Sequence, residues 1–79
     1  MSDDPNPSEE KSLHLREEFI TLAHALKAVG LANTGGQAKM IVRDGGVMVN
    51  GLPETRPGRK LRAGDRFGTA EEGEWTIRG

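Results

Sequence analysis

Residues 34–51 read TGGQAKMIVRDGGVMVNG, and the first half of this stretch has the period of a helix. Thr34 is a favourable N-cap, because its hydroxyl can accept a hydrogen bond from a free N–H group of the first turn. Apolar residues then recur at the i, i+3 and i+4 positions that form one helix face: Ala38, Ile41 and Val42. Gly45 falls on the same face. We therefore predict a helix that begins after Thr34 and is closed by Gly45.

The second half of the stretch changes to a period of two, which is that of a β-strand. Val47 and Val49 point one way and Met48 points the other. Asn50-Gly51 follows, and this pair strongly favours a hairpin, since both central residues of a type I′ turn need a positive φ. Pro53 lacks an N–H group, so the returning strand is predicted to be short or at a sheet edge.

Toward the N-terminus, a second helical pattern precedes the first. Apolar residues recur at helical spacing over 22–29, with Thr21 as the N-cap and Gly30 as the left-handed residue that ends the helix. About four residues separate the two helices, which predicts a tight helical pair. Residues 1–17 are polar and acidic without a hydrophobic pattern, so we predict a disordered acidic tail there and a single folded domain over 18–79.

Toward the C-terminus, short strands follow the hairpin. Residues 56–60 form a basic loop with a proline and a glycine. Two further strands are expected at 66–69 and 74–78, the last with Trp75 and Ile77 facing inward. The order of elements predicts an α+β fold, a short helical pair followed by a small antiparallel sheet of short strands.

The charges of the chain are segregated, although the net charge is only −1. Residues 1–18 carry six acidic and two basic side chains, residues 19–68 carry three acidic and eight basic ones, and residues 69–79 carry three acidic and one basic. A basic middle between acidic ends suggests an anionic partner. An ordinary solvated surface would also be charged, so charge alone leaves both interpretations open.

Composition excludes several classes of function. The chain has no cysteine, so it holds no disulfide or thiolate, and its histidines, His14 and His24, make no plausible zinc set. Neither histidine has a nucleophile or carboxylate at a fixed helical offset, so no catalytic triad is indicated. No apolar run approaches the roughly 20 residues of a membrane span, and the N-terminus does not resemble a secretory signal. We expect a soluble, cytoplasmic protein without catalysis, cofactor or metal.

Two features indicate a phosphate-binding surface. Gly35 and Gly36 leave the N–H groups at the start of the second helix with little side-chain cover, which attracts phosphate, although an ordinary cap has the same appearance. Lys39 and Arg43 are four residues apart on the side of that helix away from its apolar stripe. Five of the eleven residues over 56–66 are Arg or Lys. Neither the helix pair Lys39 and Arg43 nor the loop group of Arg59, Lys60 and Arg62 is expected to matter to folding.

Aromatic residues are few, namely Phe19, Phe67 and Trp75. Their strand-like contexts predict that all three belong to the core. The basic surface should therefore recognise the backbone and shape of a nucleic acid rather than stack on unpaired bases.

The stretch over 21–67 resembles the S4 RNA-binding domain, also called the alpha-L motif. The family pattern is approximately R-L-D-x-x-L-x-x-x-G-L-A, then S-R-x-x-A-R-x-L-I-x-x-G-x-V-x-V-N-G, then G-D before a final strand. The matching residues are Leu22, Leu26, Gly30, Leu31 and Ala32, then Thr34, Ala38, Lys39, Ile41, Val42, Gly45, Val47, Val49, Asn50 and Gly51, then Gly64 and Asp65. Within the family, the chain is similar to small stand-alone bacterial proteins of the YbcJ/YaaA type.

This resemblance implies an RNA-binding module for structured RNA, ribosomal or transfer RNA, associated with the ribosome and monomeric. The family's opening Arg and Asp are Thr21 and Ala23 here, and the Arg after the second cap is Gly35. RNA contact would therefore shift to backbone amides and to the remaining cations. The predicted RNA-binding residues are Thr34, Gly35, Gly36, Lys39, Arg43, Arg56, Arg59, Lys60 and Arg62.

A second interpretation is a sulfur-carrier-like protein module of the β-grasp class. It rests on the V-N-G sequence, the later G-D and the final Gly79. Such carriers end in an exposed Gly-Gly, whereas this chain ends in Arg78-Gly79, and their V-N-G lies near the start rather than after two helices. The order of motifs therefore favours RNA binding.

Overall fold

The computed structural model describes residues 11–79 and contains two helices and seven short strands within that range. The first ten residues of the predicted tail lie outside the described residues. The elements are β1 (Lys11–His14), β2 (Ile20–Thr21), α1 (Leu22–Ala28), α2 (Gly35–Arg43), β3 (Met48–Val49), β4 (Leu52–Pro53), β5 (Lys60–Leu61), β6 (Arg66–Thr69) and β7 (Gly73–Arg78).

Both helices begin at the predicted caps. The Thr21 hydroxyl accepts a hydrogen bond from the His24 N–H at 3.3 Å, and the Thr34 hydroxyl accepts one from the Gln37 N–H at 3.0 Å. Gly30 follows α1 with a φ of 86°, the left-handed conformation that ends a helix. The predicted helical pair is confirmed, with α1 one residue shorter than expected.

The larger sheet has the order β1-β7-β6-β3-β4. Its neighbours pair antiparallel except β1, which runs parallel to β7 with Lys11 opposite Trp75 and His14 opposite Arg78. The sheet is therefore mixed, and the prediction of an antiparallel sheet is corrected in this respect. The structure also differs from the predicted tail, because Lys11–His14 is a paired strand. Its four residues carry too short an apolar pattern to indicate a strand on their own.

The hairpin between β3 and β4 has the predicted turn. Asn50 has a φ of 53° and Gly51 a φ of 84°, as a type I′ turn requires. Val47 and Val49 are buried and Met48 is exposed, which confirms the predicted alternation. β4 lies at the edge of the sheet, where Pro53 removes no ladder hydrogen bond.

A second sheet of two strands, β2 and β5, joins the basic loop to the start of α1. Ile20 pairs with Leu61 and Thr21 with Lys60. The Leu22 N–H donates to the Arg59 carbonyl at 2.8 Å, and the Ala23 N–H donates to the Pro57 carbonyl at 3.0 Å. Two N–H groups of the first turn of α1, which have no partner inside the helix, are thereby satisfied by the loop. No periodic pattern in the sequence predicts this pairing.

The core lies between the helical pair and the sheets. Its buried apolar side chains are Leu22, Ala25, Leu26, Ala32, Ala38, Val42, Val47, Val49, Leu61, Phe67, Trp75 and Ile77. Phe67 and Trp75 stack with ring centroids 5.8 Å apart. Gly68 pairs with Glu74 and lies so close to β7 that an added Cβ would overlap the Gly73 carbonyl oxygen. Phe19 was predicted to be core and is instead 36% exposed, because β2 begins only after it and turns the ring toward solvent.

Candidate nucleic-acid interface

The N-terminus of α2 presents uncovered backbone donors. Among residues 11–79, no protein acceptor meets the N–H groups of Gly35 and Gly36. The Gln37 side chain does not cover these N–H groups, because its carbonyl accepts a hydrogen bond from the Asn33 N–H at 2.7 Å. A Cβ at Gly35 would meet no atom within 4 Å. Neither glycine has a positive φ, so the local backbone does not require glycine, and the two residues leave the helix end open.

Lys39 and Arg43 extend this end along the exposed side of α2. Both are exposed, and neither forms an ion pair within the described part of the chain. They lie four residues apart and so point in nearly the same direction. The start of α2 and its cationic side therefore form one surface of N–H donors and positive charge, and both are ligands for phosphate. We call this surface the α2 cation face: Thr34, Gly35, Gly36, Lys39 and Arg43.

A shallow depression joins the α2 cation face to α1. Its volume is about 230 Å³, and the residues that line it are Thr21, Ala23, His24, Lys27, Gly35 and Lys39. Lys27 adds a third cation to this region. The N–H group of Ala23 bonds to the Pro57 carbonyl, so the basic loop contacts the start of α1, although none of its residues lines the depression. The fold thus brings Gly35 and Lys39 together with Lys27 at the depression, whereas the predicted loop cations lie outside it.

The basic loop differs from the α2 cation face because a buried acid holds it. The Glu54 side chain is 9% exposed and accepts from Arg56 Nε at 3.1 Å and from the Arg59 guanidinium at 2.9 Å. It also accepts from the Arg56 backbone N–H at 3.1 Å. The hydrogen bond from the Arg56 side chain, then the one from Arg59, hold the pKa of Glu54 at about 2, against the opposing effect of burial. We call these three residues the Glu54 clamp.

The Glu54 clamp changes the role of two predicted contacts. Arg56 keeps 77% of its side chain exposed, whereas Arg59 keeps 35%. One carboxylate partly neutralises both, so each offers less net attraction to phosphate than a free cation. Their hydrogen bonds also connect the loop to Glu54, so we predict that Arg59, which was expected to be dispensable for folding, contributes to stability. No sequence pattern predicts this role of Glu54; the nearest signal is a pair of arginines at i+2 and i+5.

The other two predicted RNA-binding cations in this region, Lys60 and Arg62, contact an aromatic ring. Lys60 Nζ lies 4.8 Å and Arg62 Cζ 6.0 Å from the centroid of Phe19. The Arg62 backbone N–H donates to Asp65 at 2.7 Å, which fixes the turn before β6. Both side chains remain exposed and point to solvent beside the start of β2.

Residues 11–79 contain no group of three or more metal-ligating side chains that could hold an ion. No helix in the same range is long and apolar enough to cross a membrane. The groups that converge on this surface are cations, backbone N–H donors and a hydroxyl, which suit an anionic ligand.

Comparison with known proteins agrees with this geometry. Residues 13–77 match the S4 domain, and the match extends from the second half of β1 through both helices to all but the last residue of β7. A similar protein is the "Probable ribosome maturation protein RlbA" of Bacillus subtilis (strain 168), which is 44% identical over 48 residues, or 61% of this chain and 68% of that protein. On its sequence match and its fold, the chain belongs to the S4 domain family, a family of RNA-binding domains.

Proposed function

We propose that this protein binds structured ribosomal RNA through the α2 cation face and acts in ribosome maturation without catalysing a reaction. Binding would depend on the RNA backbone and on helix shape, with transfer RNA as the other candidate of the same kind. The protein would act as a monomer in the cytoplasm, where ribosomes are assembled.

The observation that carries the proposal is that two kinds of phosphate-binding group, backbone N–H donors and cationic side chains, lie on one helix. The N–H groups of Gly35 and Gly36 have no protein acceptor among the described residues, and Lys39 and Arg43 follow within two turns without ion-pair partners there. A helix N-terminus and free cations each favour a phosphate oxygen. Their position on one exposed side allows consecutive phosphates of a folded RNA to contact both.

The relative supports the ribosomal part of the proposal. The Bacillus subtilis protein is named for ribosome maturation, and the alignment extends over 68% of its length. The S4 match over residues 13–77 also favours RNA binding over the sulfur-carrier interpretation. The described site contributes N–H donors and cations, which supports the binding of an anionic ligand.

The test is the charge reversal of the α2 cation face. Lys39→Glu with Arg43→Glu removes two attractive charges and adds two repulsive ones, so we expect affinity for a structured ribosomal RNA fragment to fall by about 100-fold or more. Fluorescence anisotropy at one fixed salt concentration measures the affinity. Circular dichroism and thermal unfolding should match the parent, because both side chains are exposed.

The matched control is Arg66→Glu with Arg78→Glu, which has the same change in net charge at exposed positions outside both the α2 cation face and the depression beside it. We expect the control to lose much less affinity, through net charge alone. If the two double variants lose the same affinity, charge rather than this face determines binding. If the Lys39 and Arg43 variant binds like the parent, the α2 cation face is not the RNA-binding surface.

A further inference from the structure

Phe19 is an exposed aromatic side chain beside the proposed RNA-binding surface. It precedes β2, and its ring is 36% exposed. Two cations, Lys60 and Arg62, lie over the ring at 4.8 and 6.0 Å from its centroid. The pairing of Thr21 with Lys60 in the two-stranded sheet holds the ring and these cations together. An aromatic ring flanked by cations is the arrangement that single-stranded nucleic acids require, since bases stack on the ring and phosphates meet the charges.

Phe19 also lines a groove. The groove has a volume of about 360 Å³, at the small end of the range for small-molecule sites, which suits one planar ring system. Leu13, Leu15, Ile20 and Phe19 contribute its apolar wall. Lys60 and Arg62 contact the Phe19 ring but do not line the groove, so the two cations lie beside it.

Polar groups at the margin of the groove can orient a heterocycle. His14 and His24 line it from β1 and α1, and Arg16 and Glu17 line it from the connection between β1 and β2. Imidazole nitrogens, a guanidinium and a carboxylate offer both donors and acceptors, as the edge of a nucleobase requires. The groove therefore combines an apolar wall, an aromatic ring and hydrogen-bonding groups.

The groove is continuous with the α2 cation face. Thr21 and His24 line both the groove and the depression that contains Gly35 and Lys39. A strand of RNA whose phosphates contact the start of α2 would therefore pass beside Thr21 and His24, which also line the groove. This continuity, together with the cations around Phe19, favours a nucleotide over an uncharged peptide as the occupant.

We propose that the groove between β1 and α1 holds one unpaired nucleobase, stacked on Phe19, while Lys60 and Arg62 contact the phosphates on either side of it. The proposal rests on the proposed function and deepens it, because it makes the preferred RNA a helix with a bulged or flipped-out nucleotide. It also revises the sequence-based expectation of a surface that recognises only backbone and shape.

The experiment compares two RNA hairpins that differ only by a single bulged nucleotide. We expect the parent protein to bind the bulged hairpin more tightly, by roughly 5- to 150-fold, the range for stacking one base on an aromatic side chain. Phe19→Leu keeps an apolar side chain and removes the π face, so it should abolish the preference and leave binding to the fully paired hairpin unchanged. Phe19→Tyr keeps the ring and should retain the preference.

A fluorescent base analogue at the bulge gives a second readout. 2-Aminopurine placed there should change its emission on binding to the parent and to Phe19→Tyr, and should change less with Phe19→Leu. Leu52→Ala is the matched control, because it truncates an exposed apolar side chain on the hairpin between β3 and β4. This variant should behave like the parent.

The outcomes separate the two proposals. Equal binding of the parent to both hairpins would overturn the nucleobase site and leave the α2 cation face intact. A bulge preference that survives in Phe19→Leu would place the unpaired base elsewhere and would also overturn it. Loss of binding to both hairpins in the Lys39→Glu, Arg43→Glu variant, with the preference present in the parent, supports both proposals. No binding of the parent to either hairpin would argue against the proposed function itself.

Discussion

The α2 cation face and the Glu54 clamp contain the same kinds of side chain and have different physical roles. On α2, Lys39 and Arg43 project into solvent without ion-pair partners among residues 11–79. In the clamp, Arg56 and Arg59 both contact one carboxylate that is nearly buried. A cation without a partner offers its full charge to a ligand, whereas a paired cation stabilises its own loop.

The comparison shows that basic residues in a sequence cannot be counted as equal contacts. The loop over 56–66 is the densest basic segment of the chain, yet Glu54 offsets part of its charge. The helix contributes only two cations and is the better placed for phosphate, because the open N–H groups of Gly35 and Gly36 lie beside them. Mutations in the two regions can test this difference, because they should affect stability in the Glu54 clamp and RNA binding on the α2 cation face.

The largest difference should appear in stability. Glu54→Ala removes the acceptor for two arginines, so we expect unfolding free energy to fall by about 2–3 kcal/mol, the scale of hydrogen bonds to charged groups. Lys39→Ala and Arg43→Ala should each change it by no more than about 0.5 kcal/mol, as is usual at exposed positions. Urea unfolding followed by circular dichroism measures all three. A loss below about 0.5 kcal/mol for Glu54→Ala would show that the clamp is not structural.

The second difference concerns the salt dependence of RNA binding. With about five phosphate contacts, the parent should show a slope of log affinity against log salt of roughly −3 to −4. Lys39→Ala with Arg43→Ala removes two contacts and should reduce the magnitude of the slope by about 1.4 to 1.8. Arg56→Ala should reduce it by less than about 0.7, because Glu54 already offsets that charge. Equal changes per residue at both sites would contradict the distinction between free and paired cations.

Signals between neighbouring residues predicted most of the fold, but they did not predict strand pairing between residues far apart in the sequence. Thr21, Thr34 and Asn50-Gly51 fix caps and a turn through neighbours in sequence, and each lies where expected. The parallel pairing of Lys11–His14 with β7 connects opposite ends of the described chain and leaves no periodic signal in four residues. Contacts between distant residues also determine the details of the candidate site, so the sequence predicted which residues belong to it but not how they contact one another.

Two side chains of the site show what sequence patterns omit. Glu54 has no apolar periodicity around it that would indicate burial, and its role appears only once Arg56 and Arg59 fold over it. Phe19 has a strand-like context, but the strand begins one residue later and leaves the ring exposed. In both cases the exposure of a side chain depends on where a short strand begins or on how a loop closes.

The third difference concerns how the stability of the fold changes at acidic pH. The pKa of Glu54 is about 2 in the folded protein, below its ordinary value of 4.5, because two arginines stabilise the carboxylate. The native state therefore binds this proton less readily than the unfolded chain does. The stabilisation is fully present above about pH 4.5 and is lost as the pH falls toward 2. Thermal midpoints measured over this range should decline less in Glu54→Gln than in the parent.

All other ionisable groups are the same in the two proteins, so the difference between parent and variant isolates Glu54. Identical acid dependence in the two would show that the clamp does not lower this pKa. The α2 cation face contains no carboxylate, so Lys39→Ala should keep the acid profile of the parent. This variant is therefore the matched control for the clamp.

The smallest effect should come from Gly35, where stability and binding are expected to change in opposite directions. A Cβ at this position meets no atom within 4 Å, and alanine favours a helix over glycine by up to about 1 kcal/mol. Gly35→Ala should therefore leave the thermal midpoint unchanged or raise it slightly. The added methyl group lies next to the open N–H groups at the start of α2, so it should weaken RNA binding by a few-fold at fixed salt.

Gly58→Ala is the control, because its Cβ is equally unobstructed and it lies in the basic loop rather than at a helix end. Weaker binding in Gly35→Ala alone would show that glycine at this position serves RNA contact, whereas unchanged binding would assign the phosphate contacts to Lys39 and Arg43 without the backbone.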